Sequence, residues 1–372
     1  MITRKLPIIY KWVDPVKGEL TRRVEVVPNL RAVPVQQVVV SNGKTDVSMD
    51  LNIEFLIDSL EGELYLNIPE NKGFQIIPEK IQINSNTARK HKVSFQLRKN
   101  PSRELKSSFN ESIQVMFRKK GSNVAEEIQQ TLRIEYDHIP TQTYHVPCEF
   151  RFTYTPLEKS VAKIGYVEGA GDDVAEALQG AGYQVEILND AKIRNLSVGD
   201  FDAIVVGIRA LNSVEDMAQW MPFFLEYTKL GGTLVMQYNT KNWISDVKVS
   251  PGPFPFEISR NRVTNERAPV KILYPDHPIF NYPNKITNSD FDGWVQERGI
   301  YFTEKVSSEY QDLLSMADPN ETEMKGSLIY APFGSGHFIY TGLAFFRQLP
   351  AGVPGAFRLF SNFLSVGKNE QH

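Results

Sequence analysis

A chain of 372 residues is long enough for about two or three domains of ordinary size. With 41% hydrophobic and 23% charged residues and a net charge of −3, it has the composition of a folded protein, not of a disordered or strongly basic one. Its one cysteine, Cys148, excludes an internal disulfide and a thiolate metal site, though not an exported protein that does without disulfides. The densest basic run, Arg118-Lys119-Lys120, sits beside a turn glycine, Gly121, so no nucleic-acid partner is expected. No stretch approaches the roughly 20 apolar residues of a membrane span. The first ten residues lack the apolar core of an export signal, so no address is expected within the chain.

Residues 1–30 read as an extended arm or an extra hairpin around Lys17-Gly18. From 31 to 156 the pattern is one of short alternating runs. The run 35–40 leads into Ser41-Asn42-Gly43-Lys44, which has hairpin-turn chemistry. Further runs cover 47–57, 62–68, 73–77, 91–97, 112–118 and 130–136. Val93, Phe95 and Leu97 share one face, as do Ile113, Val115 and Phe117, which is the period of a half-buried strand. About seven such strands predict a β-sandwich of immunoglobulin or fibronectin type.

From 157 to 372 the period changes. Residues 161–167 form a compact apolar strand, and Asp172 and Asp173 after it can cap a helix and favour its positive end. Val174, Ala177, Leu178 and Ala181 lie on one face of that helix, which Gly182 ends. Residues 184–188 and 201–207 are the next strands, the second apolar on both faces as a central parallel strand should be. A helix through Met217, Trp220, Met221, Phe224, Leu225 and Thr228 leads to Gly231-Gly232 and a strand at 233–237. This succession predicts a doubly wound, flavodoxin-like α/β domain. A long Pro- and Asn-rich stretch between Lys241 and Tyr301 reads as excursions over the carboxyl edge of the sheet. A hairpin around Gly334-Ser335-Gly336 and a last helix carrying Phe357, Phe360 and Leu364 complete the domain.

The motifs are sparse. Gly169-Ala170-Gly171 follows a strand where a phosphate loop would sit, but the third glycine is missing and two aspartates would repel the anion. Asn288, Asp290, Asp292 and Gly293 copy half a calcium loop, yet Gly299 stands where the bidentate Glu belongs. The histidines, His91, His138, His145, His277, His337 and His372, include no helical zinc pair; Asp137, His138 and His145 fit a surface strand. No Gly-x-Ser-x-Gly elbow occurs, and Cys148 reads as a small buried hydrophobe. Neither a metal nor a cofactor is expected.

Lys163-Ile164-Gly165-Tyr166, residues 201–207 and Gly231-Gly232-Thr233-Leu234-Val235-Met236 resemble the class I glutamine amidotransferase-like fold, including its trehalose-utilisation-type branch. Working members carry a Gly-x-Cys-x-Gly elbow after the strand equivalent to 233–237, where this chain has Gln237-Tyr238-Asn239-Thr240. The family's late histidine has no counterpart in Ala344-Phe345-Phe346-Arg347. Without thiolate and base the resemblance implies no amidotransferase chemistry. Tyr10-Lys11-Trp12-Val13-Asp14-Pro15, Gly169-Ala170-Gly171-Asp172-Asp173, residues 292–299 and Leu349-Pro350-Ala351-Gly352-Val353-Pro354 are in turn similar to the C-terminal region of large bacterial PIG-L (LmbE-like) N-acetylglucosaminyl deacetylases. That family's zinc motifs, His-Pro-Asp-Asp-Glu and His-x-x-His, are missing here; Pro275-Asp276-His277-Pro278 has the wrong order. The resemblance implies an accessory region working with a catalytic deacetylase domain in cis or in trans, from an exported parent.

Open α/β sheets bind ligands at the carboxyl ends of their strands. The residues expected there are Glu168, Asp172, Arg209, Gln237, Tyr238 and Asn239, with His277, Trp294, Glu297, Arg298 and Arg347 added by the excursions. Rings beside planar polar groups suit a glycan or amino sugar, with Trp294 as the stacking face. The competing expectation is that Trp294 and Arg298 pin the long loop to the sheet edge. Three functions stay open: a glycan-binding accessory module, a structural or assembly module, and a hydrolase using His277 with Glu297 as an acid–base pair.

Overall fold

The computed structural model describes residues 8–69, 73–105, 107–136, 138–241, 247 and 249–368. The chain divides into two compact units, and not by a single cut. One holds Met1–Val35, Ser48–Asn100 and Ser112–Phe150; the other holds Gln36–Val47, Pro101–Glu111 and Arg151–His372. Asp137 and His372, weighed above as possible ligands, lie outside the described residues.

The first unit is β-rich. One sheet runs in the order Ile139–Pro147, Gln129–Tyr136, Leu30–Pro34, Val47–Phe55, Lys90–Lys99 and Phe74–Ile77. Alternation fixes which side is inward: Met49, Leu51, Ile53 and Phe55 are buried, as are Val93, Phe95 and Leu97. In a second sheet Glu61–Asn67 pairs on one side with Phe109–Lys119 and on the other with Ile81–Asn84, burying Leu64, Leu66, Ile83, Ile113 and Val115. Of the arm and the hairpin, the amino end forms the hairpin, which joins Ile9–Asp14 to Gly18–Arg23. Its turn is held by the Asp14 carboxylate, which accepts from the backbone N–H groups of Val16 and Lys17, both at 2.8 Å.

Asn42-Gly43 does not close a hairpin. Gly43 has a φ of 74°, as the turn requires, but the strand before it, Val38–Ser41, runs parallel to Glu149–Tyr154. The strand after it, Val47–Phe55, pairs antiparallel with Leu30–Pro34. The turn therefore moves the chain from one sheet to another.

The second unit is built on a seven-stranded sheet in the order Gln184–Ile187, Lys163–Val167, Ala203–Val206, Thr233–Gln237, Gly336–Thr341, Leu328–Phe333 and Gln311–Asp312. The first five strands are parallel, and the last two add antiparallel at one side. Every residue of Ala203–Val206 and Thr233–Gln237 is buried, which is why Ala203–Val206 reads as an unbroken apolar run. One face is covered by Val174, Ala177 and Leu178 with Phe357, Phe360 and Leu364. The other is covered by Ile193 with Met217, Trp220, Met221 and Phe224. Each of the buried Val, Leu, Ile, Met and Phe side chains among them contributes roughly 1.5–3 kcal/mol by leaving water.

The helix Pro354–Ser365 is buried on nearly every side, not on one alone. Asn362 shows how a polar residue survives there: Nδ2 donates to the carbonyls of Ile279 and Asn284, and Oδ1 accepts from Asn284 N at 2.9 Å. The excursion that wraps it is partly laddered. Glu257–Ile258 pairs with Thr303–Glu304, Arg262–Val263 with Gly299–Ile300, and Val270–Ile272 with Leu314–Met316. No helix among the described residues is long and apolar enough to cross a membrane.

Candidate functional site at the carboxyl edge

At the end of Lys163–Val167 the Gly169-Ala170-Gly171 loop packs directly on the neighbouring strand's exit. Ala170 N donates to the Ile208 carbonyl at 2.9 Å, and a Cβ on Gly169 would lie 2.1 Å from that oxygen. This glycine serves close backbone approach, leaving no phosphate cradle. Asp172 is engaged inward. Its Oδ1 accepts from Tyr166 OH at 2.5 Å and from Val174 N at 3.0 Å, and its Oδ2 accepts from Ile208 N at 3.1 Å. The expected ligand role for Asp172 is thus replaced by a structural one, tying two strand ends together. Asp173 occupies the cap position of the following helix without a side-chain bond. Burial, with the Asp172 carboxylate beside it, holds the Tyr166 hydroxyl well above its ordinary pKa. Glu168 is exposed at the same edge.

Beyond Ala203–Val206, Arg209 adopts left-handed backbone geometry with φ at 55° and caps the short helix Ala210–Ser213. A non-glycine residue held there costs of order 1 kcal/mol. Its N–H donates to the Tyr238 carbonyl at 2.8 Å, joining the exits of adjacent strands. Tyr238 is buried, stacked against Tyr301 at 5.7 Å and 9° and tilted on Phe346 at 5.3 Å. Tyr301 is itself left-handed at φ 53°, and its carbonyl accepts from Tyr340 OH at 3.1 Å. Gln296, in the loop before it, is left-handed too. Burial pushes the Tyr238 hydroxyl up to about 12; Arg209 and Arg347 pull against that, and Glu297 adds to it. Arg347 donates to Glu297 at 2.8 Å and lies over the Phe346 ring at 4.7 Å. Arg209, Tyr238, Tyr301, Glu297 and Arg347 thus share one electrostatic neighbourhood.

Three buried polar atoms at these strand exits lack a protein partner: Arg209 Nε, Gln237 Oε1 and Thr240 Oγ1. Gln237 Nε2 reaches Tyr166 OH at 3.3 Å. Asn239, expected to face a ligand, is fully buried; its Oδ1 accepts from Leu211 N at 2.9 Å and its Nδ2 donates to the Gln237 carbonyl at 3.1 Å. After the same strand, Lys241, Pro251, Phe254, Phe256 and Glu257 line a mostly apolar cavity of about 550 Å³.

Several expected site residues do not belong to an open edge. Trp294 is 3% exposed, with Nε1 on the Asp290 carbonyl at 3.1 Å and its ring against Phe291 and Phe345. It has no free face for a sugar. Arg298 is buried, donates to the carbonyls of Ala268 and Phe291, and lies over Trp294; burial lowers its pKa to about 10. Both pin the loop. Asp290, from the half calcium loop, is ion-paired with Arg358 at 2.7 Å, and no metal-type cluster occurs among the described residues.

His277 stands elsewhere. Its Nδ1 accepts from Ile279 N at 3.2 Å, and its ring meets Tyr330 edge-on at 4.7 Å. Tyr330 OH in turn bonds His337, which pairs with Thr233 at the amino end of the parallel strands. Burial, helped by His337, lowers the His277 pKa to about 4. His277 and Glu297 have separate hydrogen-bond partners, Ile279 and Arg347.

No protein-family model matches the chain, and no curated protein sequence matches it either. Among solved structures, the periplasmic chaperone SfaE aligns with 34% of this chain and 58% of its own, at 9% identity and a TM-score of 0.21. A cold-adapted β-galactosidase from Rahnella sp. R3 aligns over 54% and 31%, at 13% identity and 0.32. Bacteroides thetaiotaomicron EndoBT-3987, solved with a Man5GlcNAc product, aligns over 56% and 53%, at 8% identity and 0.23. The chain spans less than two thirds of each of these.

Proposed function

We propose that the chain is a noncatalytic accessory region of a PIG-L-type sugar deacetylase, whose carboxyl edge binds a sugar for a catalytic domain in cis or in trans. An exported parent belongs to the same proposal. The finer fold reading belongs here as well: an immunoglobulin- or fibronectin-like sandwich, then a flavodoxin-like domain of class I amidotransferase type. The strand order, second-first-third-fourth and then a late parallel strand, supports the latter.

The carrying observation is Tyr238. On the amidotransferase resemblance, Tyr238 and Asn239 stand where the nucleophile would be; Tyr238 is stacked on Tyr301, tilted on Phe346, and keeps its hydroxyl protonated at neutral pH. That arrangement offers a hydrogen-bond donor and ring edges, not a nucleophile with its base. Around it two bulky residues, Arg209 and Tyr301, are held in left-handed geometry, a kind of strain that gathers at functional sites. The test is binding of amino-sugar oligomers to the intact chain. Tyr301→Ala is expected to weaken it about tenfold, a loss of the size of one stacking contact. No binding to any glycan on an array would sink the reading.

A second reading, assembly, is favoured by one observation. Tyr10 and Trp12 stack at 5.7 Å on an exposed two-stranded hairpin with Ile8, Val13 and Val16 open to solvent. Isolated two-stranded hairpins are marginal in water, which suits a surface that docks on another protein.

A further inference from the structure

Resting on the binding-edge reading, we propose that the edge selects sugars that carry a carboxylate, with Arg209 as the anchor for that group. The backbone of Arg209 is fully engaged. Its N–H bonds the Tyr238 carbonyl, and its own carbonyl accepts from Asn212 N, Ser213 N and Ser213 Oγ. Its side chain is not: Nε is buried without a protein partner. An unsatisfied buried donor on a cation is costly, and a guanidinium fork is matched best by the two oxygens of a carboxylate.

The neighbouring acids do not neutralise it. Glu297 is taken by Arg347 at 2.8 Å, and Asp172 by Tyr166, Val174 and Ile208. Asn239 Oδ1, the nearest amide acceptor in the chain after Tyr238, is held by Leu211 N. Glu168, exposed after the first strand, forms no ion pair with a described residue. Arg209 is left as the uncompensated cation beside the Tyr238–Tyr301 stack. Gln237 Oε1 and Thr240 Oγ1 at the same strand exits are likewise buried without a protein partner. A carboxylate carried on a sugar ring answers the unpaired guanidinium.

The experiment is calorimetric titration of the full chain at neutral pH with a glucuronate-terminated oligosaccharide and with a neutral glucose oligosaccharide of equal length. The acid is expected to bind at least about tenfold more tightly, and the difference to shrink in high salt. Arg209→Gln should remove the preference while leaving weak binding of both sugars. Arg209→Lys, with charge but no fork, should fall between. Equal affinity for the two sugars, untouched by Arg209→Gln, overturns the carboxylate proposal and leaves the binding edge standing. No binding of either sugar to the folded chain overturns both. Should Arg209→Gln fail to fold, the acid-over-neutral ratio of the unaltered chain, with its salt dependence, decides the matter alone.

Discussion

The carboxyl edge of the α/β unit and the amino-terminal hairpin of the β-rich unit are unsatisfied in opposite ways. At the edge, polar atoms are buried without partners: Arg209 Nε, Gln237 Oε1 and Thr240 Oγ1. On the hairpin, apolar side chains are exposed without cover, Val16 at 92% and Val13 at 77%. Among the described residues only Ile187, Val198, Leu230 and Tyr274 are large exposed hydrophobics of the α/β unit; the others of that kind all lie in the β-rich one. Buried orphan donors and acceptors fit a small polar ligand, whereas an open apolar ribbon fits another macromolecule. The two units thus point to two kinds of partner.

The comparison can be broken at several places. Trp294→Ala carries the largest expected effect, a stability loss of about 3–5 kcal/mol in urea unfolding, because it opens a cavity under Phe291 and Phe345 and removes the ring beneath Arg298. A cost below about 1 kcal/mol would mean that Trp294 is the surface platform suggested by the sequence and that the edge is wider than described.

A smaller, pH-dependent effect belongs to His277, which faces Tyr330 and His337. Its folded pKa, about 4, lies below the ordinary 6.5, so between those values the unfolded chain holds a proton that the folded one does not. Its contribution is present above about 6.5 and is lost as pH falls toward 4, with a slope of at most about 1.4 kcal/mol per pH unit. Unfolding measured across that window should show His277→Asn losing less stability than the unaltered chain. Parallel pH curves for the two would show that burial does not hold this imidazole neutral.

The smallest effect on stability is expected at Trp12. Trp12→Ser should change unfolding by no more than about 0.5 kcal/mol, since the side chain is on the exposed hairpin, while reducing any self-association seen in sedimentation. A large destabilisation would turn the ribbon into part of the fold and remove the contrast between the units.

Much of the scaffold was legible. The period-two runs at 47–57, 91–97 and 112–118 became strands, and the doubly apolar run at 201–207 became the central strand Ala203–Val206, because burial on one face or two leaves a direct trace in the sequence. Partner choice left no such trace. Asn42-Gly43 announces a positive φ but not that its flanking strands join different sheets. The strand Ile81–Asn84 was missed for its length.

At the site, sequence placed Arg209, Tyr238, Glu297 and Arg347 in one neighbourhood, but it treated Asp172, Asn239, Trp294 and Arg298 as alike to them. The difference lies in whether a side chain bonds a carbonyl or N–H far away in the chain, as Arg298 does with Ala268 and Asn239 with Leu211. Tyr301 was overlooked, since nothing in a tyrosine marks left-handed geometry as glycine does.

The measurement that bears most directly on the central proposal is hydrogen exchange of the intact chain with and without a soluble amino-sugar oligomer. The account predicts slowed exchange confined to the strand exits and loops around residues 207–212, 237–241, 295–301 and 345–348. Unchanged exchange there under conditions of measured binding, or protection only on the hairpin at residues 8–24, would contradict it.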